Sequence, residues 1–258
     1  MYREDIFLGV NLYGIMIAVG LLACFAVLFL YSKIKNHDSR YTDFIFYDAI
    51  VSIALGFFSA ALFQAFYNYL ENPERGFRLG SGITFIGGLI GGVITFLAVF
   101  FIFRKFAHGK LSDILSIAPC CIVIAHAFGR IGCFFVGCCY GKETDSFLGV
   151  KFPHLSNPVH PTQLYEALFL FVLFAVLSYL LLKKDYKHNL SIYLIAYGVF
   201  RFLLEFVRDD PRGKLFDLMS PSQFWSIVMV IAGIALFFIM NYLSKKGDGK
   251  SLTQTKNE

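Results

Sequence analysis

The sequence predicts an all-α, polytopic integral membrane protein with about seven transmembrane helices, and three observations predict it. Of 258 residues, 57% are hydrophobic and only 16% charged, against roughly 25% charged in average globular chains. Mean hydropathy is +0.63. Seven apolar runs each approach or exceed the about 20 residues that cross a hydrocarbon core, and basic residues gather in alternate connections between them. An ordinary soluble domain, a disordered chain and a collagen-like chain are all excluded. Seven spans consume roughly 140 positions, which leaves short loops and room for one domain over 1–258, ending in a polar tail at 244–258. The 31 Phe and 22 Gly suit lipid-facing rings and close helix contacts.

The first run, 6–31, is too long for a removed signal peptide and lacks a small-residue cleavage site. Lys33, Lys35 and Arg40 follow it. The second run is 44–69 and the third 79–103, with Arg104, Lys105 and Lys110 behind it. Gly80, Gly82, Gly87, Gly88, Gly91 and Gly92 crowd the start of that third helix, where small residues let another helix or a lipid head group approach the backbone. Packing is the simpler reading. The fourth and fifth runs, 114–135 and 163–182, are separated by a connection too long for a turn, and Lys183, Lys184 and Lys187 follow the fifth. Runs at 190–207 and 221–243 complete the set, with Lys245, Lys246 and Lys250 at the end. The positive-inside bias places the basic connections in the cytoplasm, hence the N-terminus outside and the C-terminus cytoplasmic. The net charge of +5 then reports cytoplasmic loops, not a nucleic-acid partner. The connections at 71–78, 136–162 and 208–219 face outward.

Charged residues stand where lipid should be. His126, Arg130 and Cys133 share one face of the fourth helix, and Arg201, Glu205 and Arg208 repeat the spacing in the sixth. A charge at the centre of a membrane helix costs about 2.5 to 3.5 kcal/mol even on lenient scales, so such groups face protein or a wet cavity. One reading makes Arg201 and Glu205 a helix-clamping ion pair while Arg130 and Arg208 snorkel to the interface. The other has Arg130 and Arg201 converge on a phospholipid phosphate, which the planar guanidinium fork matches and whose departure it stabilises. His160-Pro-Thr-Gln-Leu-Tyr-Glu166 opens the fifth helix. Pro161, Thr162 and Glu166 suit a helix start, and His160, Gln163 and Glu166 equally suit chemistry at the outer surface.

Cys24, Cys120 and Cys121 lie in apolar runs and read as small buried hydrophobes. Cys133, Cys138 and Cys139 sit at the outer mouth of the fourth helix, beside Gly132, Gly137 and Gly141. Packing, a Cys133–Cys138 disulfide and a nucleophilic thiol all remain open there. Metal ligation would need His154 or His160 to complete the set and lacks the paired C-x-x-C spacing, so no metal and no other cofactor is expected.

Tyr13-Gly14, Phe85-Ile-Gly-Gly-Leu89, Gly129-Arg-Ile-Gly132 with Gly141, His160 through Glu166, Tyr197 through Arg208, and Ser222-Gln223 occur in that order along nearly the whole chain. Together they resemble the prolipoprotein diacylglyceryl transferase family. The resemblance implies a seven-helix enzyme of the bacterial cytoplasmic (inner) membrane, active toward its outer face. Such an enzyme moves the diacylglyceryl group of phosphatidylglycerol onto the lipobox cysteine of a preprolipoprotein signal peptide, forming a thioether and releasing glycerol phosphate. It further implies that Arg130 holds the phospholipid, with Gly141, Gly87, Gly88 and Gln163 beside it, that Arg201 and Glu205 form the second essential pair, and that Tyr13 is the helix-one tyrosine. Three positions depart from the family pattern: its Phe-His-Gly-Gly histidine is Ile86, and an asparagine and a glutamate of its signature are Cys133 and Cys138. A thiol must lose its proton to attack carbon, and His126, His160 and Glu205 are the available bases. Two other readings keep the fold and the anionic lipid: another acceptor with Cys138 or Cys139 as nucleophile, and a non-catalytic lipid-binding protein.

Overall fold

The computed structural model describes residues 11–80, 82, 84–208 and 219–254. The beginning of the first apolar run and most of the expected outer connection at 208–219 lie outside the described residues. Seven α-helices occur among them: α1 Leu12–Ile34, α2 Ser39–Glu71, α3 Phe85–Ile102, α4 Leu111–Val136, α5 Thr162–Lys184, α6 Asn189–Leu204 and α7 Pro221–Gln254. No strand is present among the described residues; isolated bridges join Gly141 to Arg208 and Val159 to both Glu143 and Val150. Five helices, α1, α2, α4, α5 and α7, are long and apolar enough to cross a membrane, while α3 and α6 are shorter apolar helices. Leu22, Ile102, Ile231 and Phe238 are 61–72% exposed. Apolar surface on that scale belongs against lipid.

Helix ends differ from the apolar runs for local reasons. The first begins at Leu12, where Asn11 Oδ1 accepts the Gly14 N–H at 3.0 Å as an N-cap. The second begins five residues before its run, because Asp38 accepts the Arg40 N–H at 2.8 Å. Gly80 and Gly82, at φ +89° and +125°, delay α3 to Phe85. In α6 the helix stops at Leu204, and Phe206, Val207 and Arg208 instead bond to carbonyls three residues back. Those tighter turns lift Arg208 off the helix that carries Arg201. At the other extreme, α7 continues through the expected polar tail to Gln254.

The chain forms two compact units. In the unit of residues 28–114, α2 and α3 meet along small residues. A Cβ on Gly91 would lie 2.4 Å from Ser59 Cβ, and one on Gly87 2.6 Å from Phe63 Cβ. Ser59 Oγ donates to the Gly87 carbonyl at 2.9 Å, and Thr84 Oγ1 to Gln64 Oε1 at 2.7 Å. Hydrogen bonds and glycines thus supply the attraction that apolar burial cannot supply between helices in lipid.

The second unit comprises residues 1–27 and 115–258 and carries the charged groups. Its core includes Ile117, Val123, Leu170 and Leu177, each fully buried. Asn189 opens α6 and donates from Nδ2 to the carbonyls of Ser116 and Leu177, both at 3.1 Å, which ties α4, α5 and α6 together. Gly198 and Gly233 seat α6 against α7, where a Cβ would lie 2.8 Å from Val230 and Ile195 respectively.

Gly91→Ala gains helix propensity but drives a methyl into Ser59. Overpacking wins, and the variant should lose about 1–3 kcal/mol in reversible unfolding of the detergent-solubilised protein; unchanged stability would show that α2 and α3 need no such approach.

Candidate active site

Arg130 projects from α4 one turn after His126. Its Nε–H donates to His126 Nε2 at 3.2 Å and also stands 3.1 Å from Glu166 Oε1. An imidazole whose Nε2 accepts carries its proton on Nδ1 when neutral, so Arg130 fixes the tautomer of His126. Glu166, in the first turns of α5, is 1% exposed. Tyr197 Oη donates to the same Glu166 Oε1 at 2.7 Å, and the His126 and Tyr197 rings meet edge to face at 5.2 Å. A buried carboxylate requires that many partners, because its desolvation is offset only by charge and hydrogen bonds together.

Arg201 forms a second pair on α6. Its Nη1 lies 2.6 Å from Glu205 Oε2, and its Nη2 donates to Ser222 Oγ at 3.0 Å. Ser220 Oγ donates to Glu205 Oε1 at 2.8 Å. Ser220 is itself the cap of α7: Gln223 N–H donates to Ser220 Oγ at 3.2 Å, and Ser220 N–H returns to Gln223 Oε1 at 3.0 Å. This is a capping box with proline at the first helical position. Sequence reading missed Ser220, although Ser-Pro-Ser-Gln carries the signature of that box. Arg201 also acts electrostatically on Glu166 and His126, so both guanidiniums belong to one charged cluster.

The long connection after α4 closes over these helix ends. Gly141 N–H donates to the His160 carbonyl at 2.8 Å, Lys142 N–H to the Val207 carbonyl at 2.8 Å, and Gly141 pairs as an isolated bridge with Arg208. A Cβ on Gly141 would lie 2.6 Å from Val207 O, 2.8 Å from Thr162 Cγ2 and 2.9 Å from His160 Cβ. Glycine is required by this crossing of three segments. Gln163 Nε2 donates to the Cys138 carbonyl at 2.5 Å and Thr162 Oγ1 to the Cys139 carbonyl at 2.8 Å, so α5 holds the connection by its first turn. Phe152, fully buried, anchors the middle of the loop against Phe134 and Tyr140. His160 Nδ1 lies 3.2 Å from Tyr165 Oη. Tyr13 packs its ring over Gly132 and feels the charge of Arg130.

The structure therefore brings His126, Arg130, Glu166, Tyr197, Arg201 and Glu205 into one cluster, with Tyr13 and the thiols of Cys133 and Cys139 within its field and Cys138 beside those two thiols. Gly141, His160 and Gln163 build the covering connection. Gly87, Gly88 and Ile86 belong to the other compact unit. There the position of a Gly88 Cβ would meet Ala60 Cβ at 3.2 Å and Gly56 O at 3.4 Å. Close helix packing accounts for both glycines within that unit.

Glu166→Ala would leave Arg130 buried without its carboxylate. Removing one partner of such a pair costs about 3–5 kcal/mol, and Glu166→Gln, which retains an acceptor for Tyr197, should cost less. Unfolding midpoints of the two variants in one detergent check the order; equal stability of Glu166→Ala and wild type would refute the pair's structural role.

A family model described as prolipoprotein diacylglyceryl transferase matches residues 5–239. The phosphatidylglycerol–prolipoprotein diacylglyceryl transferase of Clostridium tetani (strain Massachusetts / E88) is 38% identical over 236 residues, covering 88% of this chain and 92% of its own length. The enzyme named phosphatidylglycerol–prolipoprotein diacylglyceryl transferase 2 of Clostridium perfringens (strain 13 / Type A) is 34% identical, covering 92% of this chain and 94% of its own. That of Pseudoalteromonas translucida (strain TAC 125) is 33% identical over 89% and 88%. With the motif order, the apolar helices and the paired arginines in place, the chain belongs to the prolipoprotein diacylglyceryl transferase family.

Proposed function

We propose that the protein transfers the diacylglyceryl group of phosphatidylglycerol to the lipobox cysteine of preprolipoproteins, with Arg130 and Arg201 binding the phosphate. One observation carries the site assignment: two arginines in a single cluster are each held by a carboxylate of their own, Glu166 and Glu205. Each carboxylate orients its guanidinium and leaves further N–H groups to reach phosphate oxygens, the geometry in which Arg exceeds Lys. Negative charge grows on phosphate as its ester bond breaks, so donors fixed beforehand lower the barrier.

In the reaction the lipobox sulfur attacks the glyceryl carbon that bears the phosphate. A carbon–sulfur bond forms, the carbon–oxygen bond breaks, and its electron pair leaves on glycerol phosphate. The thiol proton goes to a base. Of the three candidates, His126 has its Nε2 engaged by Arg130, and Glu205 accepts at both oxygens. We assign the proton to His160, on the loop that covers the cluster. Tyr13 and Gln163 shape the site, one over Gly132 and the other by holding the Cys138 carbonyl.

The whole chain acts as one transferase domain with seven spans, its N-terminus outside and its C-terminal tail in the cytoplasm. Support comes from α5 alone: Lys183 and Lys184 lie at its C-terminal end, and Gln163 and Glu166 in its first turns, about 25–32 Å away at the helical rise. The positive-inside bias then turns the site toward the outer face of the bacterial cytoplasmic (inner) membrane, where lipobox cysteines of signal peptides are presented.

Arg130→Lys and Arg201→Lys keep charge but lose the fork, and each should lower transfer by about 10²-fold, measured as thioether formation on a lipobox peptide with phosphatidylglycerol. Wild-type rates for both would remove the arginines from the reaction. His160→Gln should lower transfer about 10²-fold or more. Its deficit should shrink as pH rises toward the ordinary thiol pKa of about 8.5, where the peptide ionises unaided; a pH-independent deficit would place the base elsewhere.

A further inference from the structure

The three outer thiols are gathered by the end of α4. Gly137 adopts φ +72°, the Cys138 N–H donates to the Cys133 carbonyl at 3.2 Å, and the Gly137 N–H donates to the Phe134 carbonyl at 3.0 Å. A bond five residues back enclosing a bond three residues back is the Schellman arrangement. It sets the residue after the left-handed position against the residue five before it, a contact that is usually apolar. Here both residues are cysteines. Cys139 then takes left-handed backbone itself, at φ +64°, and returns a third thiol to the same place. All three Sγ atoms lie within 4.8 Å of one another, half-buried and free of disulfides. The carbonyls of Cys138 and Cys139 are fixed from α5 by Gln163 and Thr162. The sequence gives no paired C-x-x-C, but the helix end achieves the same convergence at a spacing of five.

We propose that Cys133, Cys138 and Cys139 form a binding site for a soft monovalent cation, Cu(I), held by three thiolates. With sulfur about 2.3 Å from a d10 ion, three donors in a trigonal plane stand about 4 Å apart, which fits sulfurs that all lie within 4.8 Å of one another. Thiolates select soft ions. Structural zinc takes four protein ligands, and this group has three donors among the described residues. Neither His154, whose ring packs with Tyr140 and Phe152, nor His160, beside Tyr165, belongs to it. On binding, three thiols release three protons, and one Cu(I) with three thiolates carries two negative charges. Arg208 and Arg130 both act on Cys139 and supply compensating positive potential. The site stands on its own geometry and does not depend on the assignment of the transferase residues.

The test uses the full-length protein in detergent under a phosphine reductant, titrated with Cu(I) against a chromogenic Cu(I) chelator. Wild type should withhold one equivalent, and bound Cu(I) should protect Cys133, Cys138 and Cys139 from alkylation, as mapped by mass spectrometry on unmutated protein. Cys133→Ser/Cys138→Ser/Cys139→Ser should lose that equivalent, and Cys24→Ser should keep it. Surrender of Cu(I) by wild type at the chelator concentration that strips the triple variant would overturn the proposal. Protection confined to Cys24 and Cys121 would overturn it equally.

Discussion

The carboxylate of Glu166 is the constraint on which the rest of the charged cluster depends. It sits in the first turns of a helix long and apolar enough to cross a membrane and is 1% exposed. An isolated carboxylate there would take up a proton instead of remaining charged. Arg130, Tyr197 and His126 surround it instead, from α4 and α6. Because Arg130 is bound to α4 and Tyr197 to α6, the ion pair fixes three helices at one depth. A charge network that would be costly in isolation thereby becomes the feature that sets the positions of the guanidiniums.

Arg201 is held by a different device with the same result. Its partner Glu205 lies one turn further on, just past the end of α6, and is steadied by Ser220, which simultaneously caps α7. The cap therefore does two things: it satisfies the exposed N–H groups of α7 and it orients the second carboxylate. The turns after Leu204 carry the chain to Gly141, where the connection from α4, the entry to α5 and the exit from α6 cross without room for a side chain. Preorganisation of this kind places donors before charge develops, which is where an electrostatic site gains its rate.

Much of this was legible in the sequence. Apolar run lengths located seven helices, their described ends within about six residues except at the end of α7, because membrane helices answer to one strong signal, the absence of charge. The spacing of four put His126 against Arg130 and Arg201 against Glu205, since that spacing is a property of the α-helix alone. Helix boundaries set by caps and left-handed glycines were less visible, as at Asp38 and Gly82. So was the departure of Arg208 from the face shared by Arg201 and Glu205, which depends on turns after Leu204 and not on periodicity. The convergence of Glu166 with Arg130 is a contact between helices, and a single sequence marks it only through the family motif. The three thiols show the converse case. Their spacing resembles no metal motif, yet Gly137 at the helix end supplies the geometry that spacing alone did not suggest.

Binding of a short-chain phosphatidylglycerol by the detergent-solubilised protein tests the paired-arginine site most directly, because it separates head-group capture from proton transfer. Equilibrium titration of wild type, Arg130→Ala and Arg201→Ala should show each substitution weakening binding by about tenfold or more, the equivalent of 1.4 kcal/mol. Undiminished affinity in both variants would contradict the account, since the phosphate would then be held by groups other than the two guanidiniums that Glu166 and Glu205 fix in place.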